Sequence, residues 1–165
     1  MMTQEQPAPA DGGRAVDLSD YDKINGWLLF PAYLHPLAKI GSSVYTVMQT
    51  LTVLAKPGLS AAAFAYVIAV LISNVVFGIA WGACGYFAYS LKPFFPKTYI
   101  GLSIADIAVS GLTVGVAYSV FLVSLTPDDA LAMFKMIVAA AIWIPYMLLS
   151  KRVKTTFYEK MPARS

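Results

Sequence analysis

Three ionisable side chains stand deep inside apolar stretches of this sequence: His35, Lys39 and Asp106. A charge at the centre of a bilayer costs at least about 2.5–3.5 kcal/mol, so each of them needs a partner or water. At a rise of about 1.5 Å per helical residue, His35 lies about 12 Å and Lys39 about 18 Å beyond Trp27. Asp106 lies about 10 Å beyond Tyr99 on the same scale. His35 and Lys39 are four residues apart and share one helix face. Asp106 matches the depth of His35 and is within a side chain's reach of Lys39. One chemistry this allows is a proton or cation site, as titratable groups form in pumps and transporters. The plainer alternative is an ion pair locking the first helix against the third, with Lys39 snorkelling towards an interface. A kink at Pro36 that puts His35 and Lys39 among lipid headgroups is a third arrangement.

Catalysis finds little to work with. The single histidine excludes bis-histidine haem ligation, histidine-based metal triads and the HExxH motif. No GxSxG, P-loop or GxGxxG occurs. Cys84, the one cysteine, sits between small residues of an apolar stretch, permits no intramolecular disulfide and reads as inert packing. The expectation is a non-enzymatic protein with no cofactor and no metal.

The elements that must position these groups are membrane helices. Of 165 residues, 58% are hydrophobic and 13% charged, against about 25% charged in a soluble domain. Four apolar segments are long enough to cross a hydrocarbon core of about 30 Å. They run over about residues 27–54, 61–89, 98–125 and 130–150. Pro36 is expected to kink the first or to break its opening turns, leaving residues 27–37 either spanning or interfacial. Lys56-Pro57-Gly58 reads as a turn, and Pro93 and Pro96 stop the second span. Thr126-Pro127-Asp128-Asp129 carries a helix-start signature, with Thr126 as N-cap and Pro127 at the first helical position.

Orientation follows from the cations. With four spans and a cytoplasmic C-terminus, one side holds Arg14, Lys23, Lys92, Lys97, Lys151, Arg152, Lys154, Lys160 and Arg164. The other holds Lys56 and the acidic turn Asp128-Asp129. That asymmetry places both termini in the cytoplasm under the positive-inside rule. The fold class is all-α, an integral membrane four-helix bundle over residues 23–158. Residues 1–22 read as a disordered polar tail and 159–165 as a basic cytoplasmic one. The first of these does not read as a cleavable signal peptide. Because the cations flank hydrophobic segments, nucleic acid is not an expected partner.

Two further sets of residues bear on packing and contact. Gly78-x-x-x-Gly82, followed by Gly85, and Gly111-x-x-x-Gly115 are small-residue faces that let helices approach closely, within the bundle or towards a partner. Trp81, Tyr86, Tyr89 and Tyr99 fall near the inner interface and read as belt aromatics. In the last span Pro145 frees a carbonyl and bends the exit, Trp143 and Tyr146 anchor at the headgroups, and Ser150 can cap. Lys151, Arg152 and Lys154 then meet anionic lipid. The same segment, with Phe157, is alternatively a docking site for a cytoplasmic or membrane partner.

Several of these residues together resemble a known family. Gly26-Trp27-Leu28-Leu29, Phe95-Pro96-Lys97, Trp143-Ile144-Pro145-Tyr146 and Ser150-Lys151-Arg152-Val153-Lys154-Thr155-Thr156-Phe157 are similar to bacterial inner-membrane proteins of the YdgK type, domain of unknown function 2569. The resemblance covers about residues 24–158. It implies a multi-pass protein of the bacterial inner membrane and brings no active site with it. Short loops and the absence of a soluble domain point to an accessory or assembly subunit of a larger membrane complex, with little room for a central cavity. The alternative is a small proton-coupled transporter, acting as a dimer through Asp106 with Lys39 or His35. Expected partners are anionic lipid headgroups and a membrane protein or a second copy of the chain.

Overall fold

The computed structural model describes residues 24, 26–124 and 126–158, so both expected tails lie outside it. The described residues are helical throughout, joined by short turns. A 3₁₀ turn, Gly26–Leu28, leads into a π-helical turn, Phe30–Leu34, and then into helix α1, His35–Leu54. Helices α2 (Ala61–Tyr89), α3 (Phe95–Phe121) and α4 (Pro127–Leu149) follow, and a short α5 (Lys151–Phe157) closes the chain. Of these, α2, α3 and α4 are long and apolar enough to cross a membrane.

Proline and capping chemistry set the boundaries. Pro36 offers no N–H to the carbonyl of Ala32, and its ring crowds that carbonyl. The preceding turn widens, and the His35 N–H bonds the Phe30 carbonyl five residues back. The kink expected at Pro36 is thus this π turn, after which α1 runs on unbroken. The Ser60 hydroxyl caps α2 by accepting from the Ala63 N–H at 3.2 Å. At its far end Leu91 turns left-handed (φ 49°), and Pro93 precludes continuation. Pro96 opens α3 rather than only closing the helix before it. Thr126 and Asp129 form a reciprocal capping box at the start of α4.

The end of α4 differs from expectation. The helix passes through Pro145 and stops at Ser150, whose backbone N–H bonds the Tyr146 carbonyl. Ser150 breaks the helix through its extended backbone and makes no side-chain cap to α5. The basic segment beyond it is an amphipathic helical turn in its own right. Val153 and Phe157 point inward while Lys151 and Lys154 stay exposed.

Helices pack in chain order, α1 on α2, α2 on α3 and α3 on α4. The buried core gathers at one end, where α2 finishes and α3 begins. It joins Leu28 and Ala32, Trp81 and Cys84, Phe95 and Tyr99, Trp143 and Met147, and the α5 pair. Phe30 stacks on Trp143 at 5.0 Å between ring centroids, and Phe95 meets Phe157 at 4.8 Å. Trp81 and Tyr99 therefore belong to the interior and are not belt aromatics, whereas Tyr86 and Tyr89 are exposed.

The glycines divide by face. A Cβ on Gly78 would come 3.2 Å from that of Ser43, one on Gly85 3.5 Å from Pro36, and one on Gly82 4.0 Å from Ile40. This face lets α1 lie close on α2, where packing contacts rather than hydrophobic exclusion hold helices together in lipid. Gly111 faces Met133 of α4, and Gly115 faces open space.

Candidate functional site

Lys39 of α1 and Asp106 of α3 form an ion pair at 2.6 Å, with 21% and 17% of their side chains exposed. It is the one ion pair among the described residues. His35 does not take the carboxylate. Its Nδ1 is hydrogen-bonded to the Tyr99 hydroxyl, and its ring lies 5.0 Å from that of Trp81. The three ionisable groups singled out from depth alone are thus neighbours, with the pairing made by Lys39. Asp129, in the first turn of α4, is engaged by Thr126.

Above the pair lies a cavity of about 290 Å³ that runs between the four long helices to Asp129 in the first turn of α4. The expectation of little room for a central cavity is therefore corrected. The helices converge on the aromatic core at one end and part from it at the other.

The walls are mixed: α4 lines the cavity with Ala132, Met133 and Met136 beyond Asp129, while the other three helices bring polar groups. Ser42, Ser43 and Thr46 line them from α1, Ser73 and Asn74 from α2, and Ser110 and Thr113 from α3. Several of these groups have spent a donor on their own helix. Ser73 donates to the Ala69 carbonyl at 2.8 Å, Thr113 to Val109 at 2.8 Å, and the Asn74 amide to Val70 at 2.9 Å. Their oxygens are left as acceptors. The Tyr66 hydroxyl donates to the Thr113 carbonyl at 3.0 Å and ties α2 to α3 beside the cavity.

Trp81 closes the floor. It lines this cavity and also a smaller one of about 10 Å³ shared with His35, Lys39, Ser103 and Asp106. Sequence reasoning missed it, because a tryptophan near a helix end has the signature of an interfacial anchor. Among the described residues no three histidines, cysteines, aspartates or glutamates come together as a metal site would need.

The closing segment is turned more inward than the sequence implied. Trp143 and Phe157 are buried, Tyr146 is half-buried, and Pro145, Lys151 and Lys154 are exposed. Gly26 adopts φ +60°, and a Cβ there would meet the Arg152 guanidinium at 3.4 Å. The opening Gly-Trp-Leu and the closing basic motif are thus two sides of one contact.

Three helices long and apolar enough to cross a membrane, with a cavity between the helices that ends on an ion pair, are the make-up of a multi-span membrane protein. Within that class, the family described as a protein of unknown function (DUF2569) matches residues 21–158, and the chain belongs to it. No curated protein and no solved structure matches the chain.

Proposed function

We propose that this chain is a four-helix protein of the bacterial cytoplasmic membrane, with both termini cytoplasmic, that moves a small polar solute coupled to a proton at Asp106. The observation that carries this reading is the polar cavity standing on the Lys39–Asp106 pair. A merely structural pair needs no water-sized polar space above it, whereas a transport site does. α1 is the fourth span. Its twenty residues extend about 30 Å, enough to cross the hydrocarbon core. It is less apolar than the other three because Lys39, Ser42, Ser43 and Thr46 face the cavity and not lipid. In this orientation the cavity opens away from the cytoplasm, and the aromatic core closes it below. No catalytic step is assigned.

The test is access. In a Cys84→Ala background, Ser73→Cys and Thr113→Cys are exposed to a membrane-impermeant thiol reagent from either side. Labelling from the side opposite the termini, with proton flux in proteoliposomes lost in Asp106→Asn, is the expected result. Failure of both cysteines to label from either side sinks the reading.

The accessory-subunit reading is favoured by a different feature. An apolar groove of about 470 Å³ lies between α1 and α2, lined by Ile40, Val44, Met48, Val75 and Ile79. Extraction in mild detergent, with the mass and composition of the particle measured, decides between a stoichiometric partner, a homodimer and a lone chain.

A further inference from the structure

We propose that the floor of the cavity takes a small carboxylate anion together with one proton, the anion being held by the Lys39 ammonium and the Trp81 indole N–H. This deepens the transport reading and rests on it.

Trp81 is 1% exposed, and its N–H has no hydrogen-bond partner among the described residues. An indole N–H can only donate, so an acceptor is what would satisfy it. Trp81 lines both cavities beside Lys39 and Asp106, with its N–H itself closed to water, so an anion reaches that donor only as the floor around Trp81 opens. A buried donor without a partner is rare enough in folded proteins to ask for a reason, and a ligand acceptor is one.

Charge balance fixes the rest. At rest the pair is neutral, Lys39 positive and Asp106 negative. When a proton from the cavity binds an Asp106 oxygen, the ammonium of Lys39 loses its counter-charge within a span, an unfavourable state. An incoming carboxylate restores neutrality: it accepts from Lys39 and from the Trp81 N–H while Asp106 keeps the proton. Proton and anion therefore bind together and leave together, with no net change of charge at the site. A cation fits less well. It would have to displace Lys39 from Asp106, stranding the ammonium, and it has no use for an indole N–H. Hydroxyl groups on the acid would find acceptors in Ser73, Thr113 and Asn74.

The groups facing Asp106 are few. Lys39 and His35 come from α1, Trp81 from α2, Ser103 from its own helix, and Met136 and Ala140 from α4. Of these neighbours only Lys39 and His35 can change charge, and Asp129 lies at the far end of the larger cavity.

The chain holds three tryptophans, so Trp27→Phe with Trp143→Phe leaves Trp81 as the sole indole reporter. The full chain in nanodiscs is titrated with lactate, and separately with methylammonium. Lactate is expected to change Trp81 emission saturably, and to bind up to about tenfold more tightly for each unit the pH falls, the slope of one coupled proton. Lys39→Gln abolishes the response. Asp106→Asn, which mimics the protonated acid, keeps lactate binding and loses its pH dependence. A pH-independent response in the parent, or a response to methylammonium alone, overturns the anion assignment. If Ser73→Cys labels from water but lactate leaves Trp81 unchanged, the anion assignment falls and the solute-cavity reading stands. If neither Ser73→Cys nor Thr113→Cys labels from either side, both fall.

Discussion

The Lys39 ammonium and the Asp106 carboxylate meet at 2.6 Å across the gap between α1 and α3, while His35, one turn before Lys39, bonds Tyr99 instead. This pair is the one charged tie between the first helix and the third. α1 rests mainly on α2, and the pair, with the His35–Tyr99 hydrogen bond, holds it to α3.

Removing one member should destabilise the protein. Asp106→Asn leaves Lys39 uncompensated, and a fully buried pair broken in this way costs roughly 3–5 kcal/mol. Here each side chain keeps some exposure, so the expected loss is about 2–3 kcal/mol, read as a lower midpoint of thermal unfolding in detergent. Replacing both, Lys39→Met with Asp106→Leu, should restore most of it. A double variant as unstable as the single one would rule out the pair as the source of the loss.

Helical rise and membrane position are both legible in a linear sequence, so depth brought His35, Lys39 and Asp106 together but left open which of the first two meets the carboxylate. Likewise Thr126-Pro127-Asp128-Asp129 announced the capping box, since that chemistry is local. What the sequence hid was which way residues face. Inside a bilayer the lipid-facing and core-facing sides of a helix are equally apolar, so α2 and α3 carry no strong pattern to separate them. From the sequence alone Trp81 and Tyr99 therefore have the signature of belt aromatics. The cavity depends on how four helices diverge, which no single segment encodes. α5 left a weak trace, Val153 and Phe157 four residues apart, that the flanking cations masked.

The two glycine faces should respond in opposite ways. Gly78→Leu forces bulk into the Ser43 contact at 3.2 Å, and overpacking of this kind costs about 1–3 kcal/mol. Gly115→Ala meets nothing within 4 Å and gains helix propensity of up to about 1 kcal/mol. Unfolding midpoints of the two variants in the same detergent check this. A clear destabilisation by Gly115→Ala in the membrane-extracted particle, absent from the isolated chain, would instead mark that face as a partner contact.

The capping box at the start of α4 should control fraying at the mouth of the cavity. The Thr126 hydroxyl accepts from the Asp129 N–H at 3.2 Å, and the Asp129 carboxylate accepts from the Thr126 N–H at 3.1 Å. Thr126→Ala is expected to cost about 1 kcal/mol. Hydrogen exchange should quicken over the first turn of α4 and leave its last turns unchanged. Uniform quickening along the helix would show that the cap stabilises no more locally than globally.

Topology turns on α1, the least apolar of the long helices, and is settled by three single cysteines in a Cys84→Ala background. Lys56→Cys precedes α2, Lys154→Cys lies in α5, and Ser19→Cys lies in the N-terminal tail. If only α2, α3 and α4 cross, the tail and Lys56 label from one side and Lys154 from the other. If α1 crosses as well, the tail changes sides and labels with Lys154, leaving Lys56 alone. The cation asymmetry favours the second pattern, because it gathers Lys23, Lys92, Lys97, Lys151, Arg152 and Lys154 on one face. The cavity requires it too. An α1 lying along the interface could not bring Lys39 to Asp106, which stands some twelve residues into α3. Co-labelling of Ser19→Cys with Lys56→Cys would therefore dismantle the four-span reading and the transport site together.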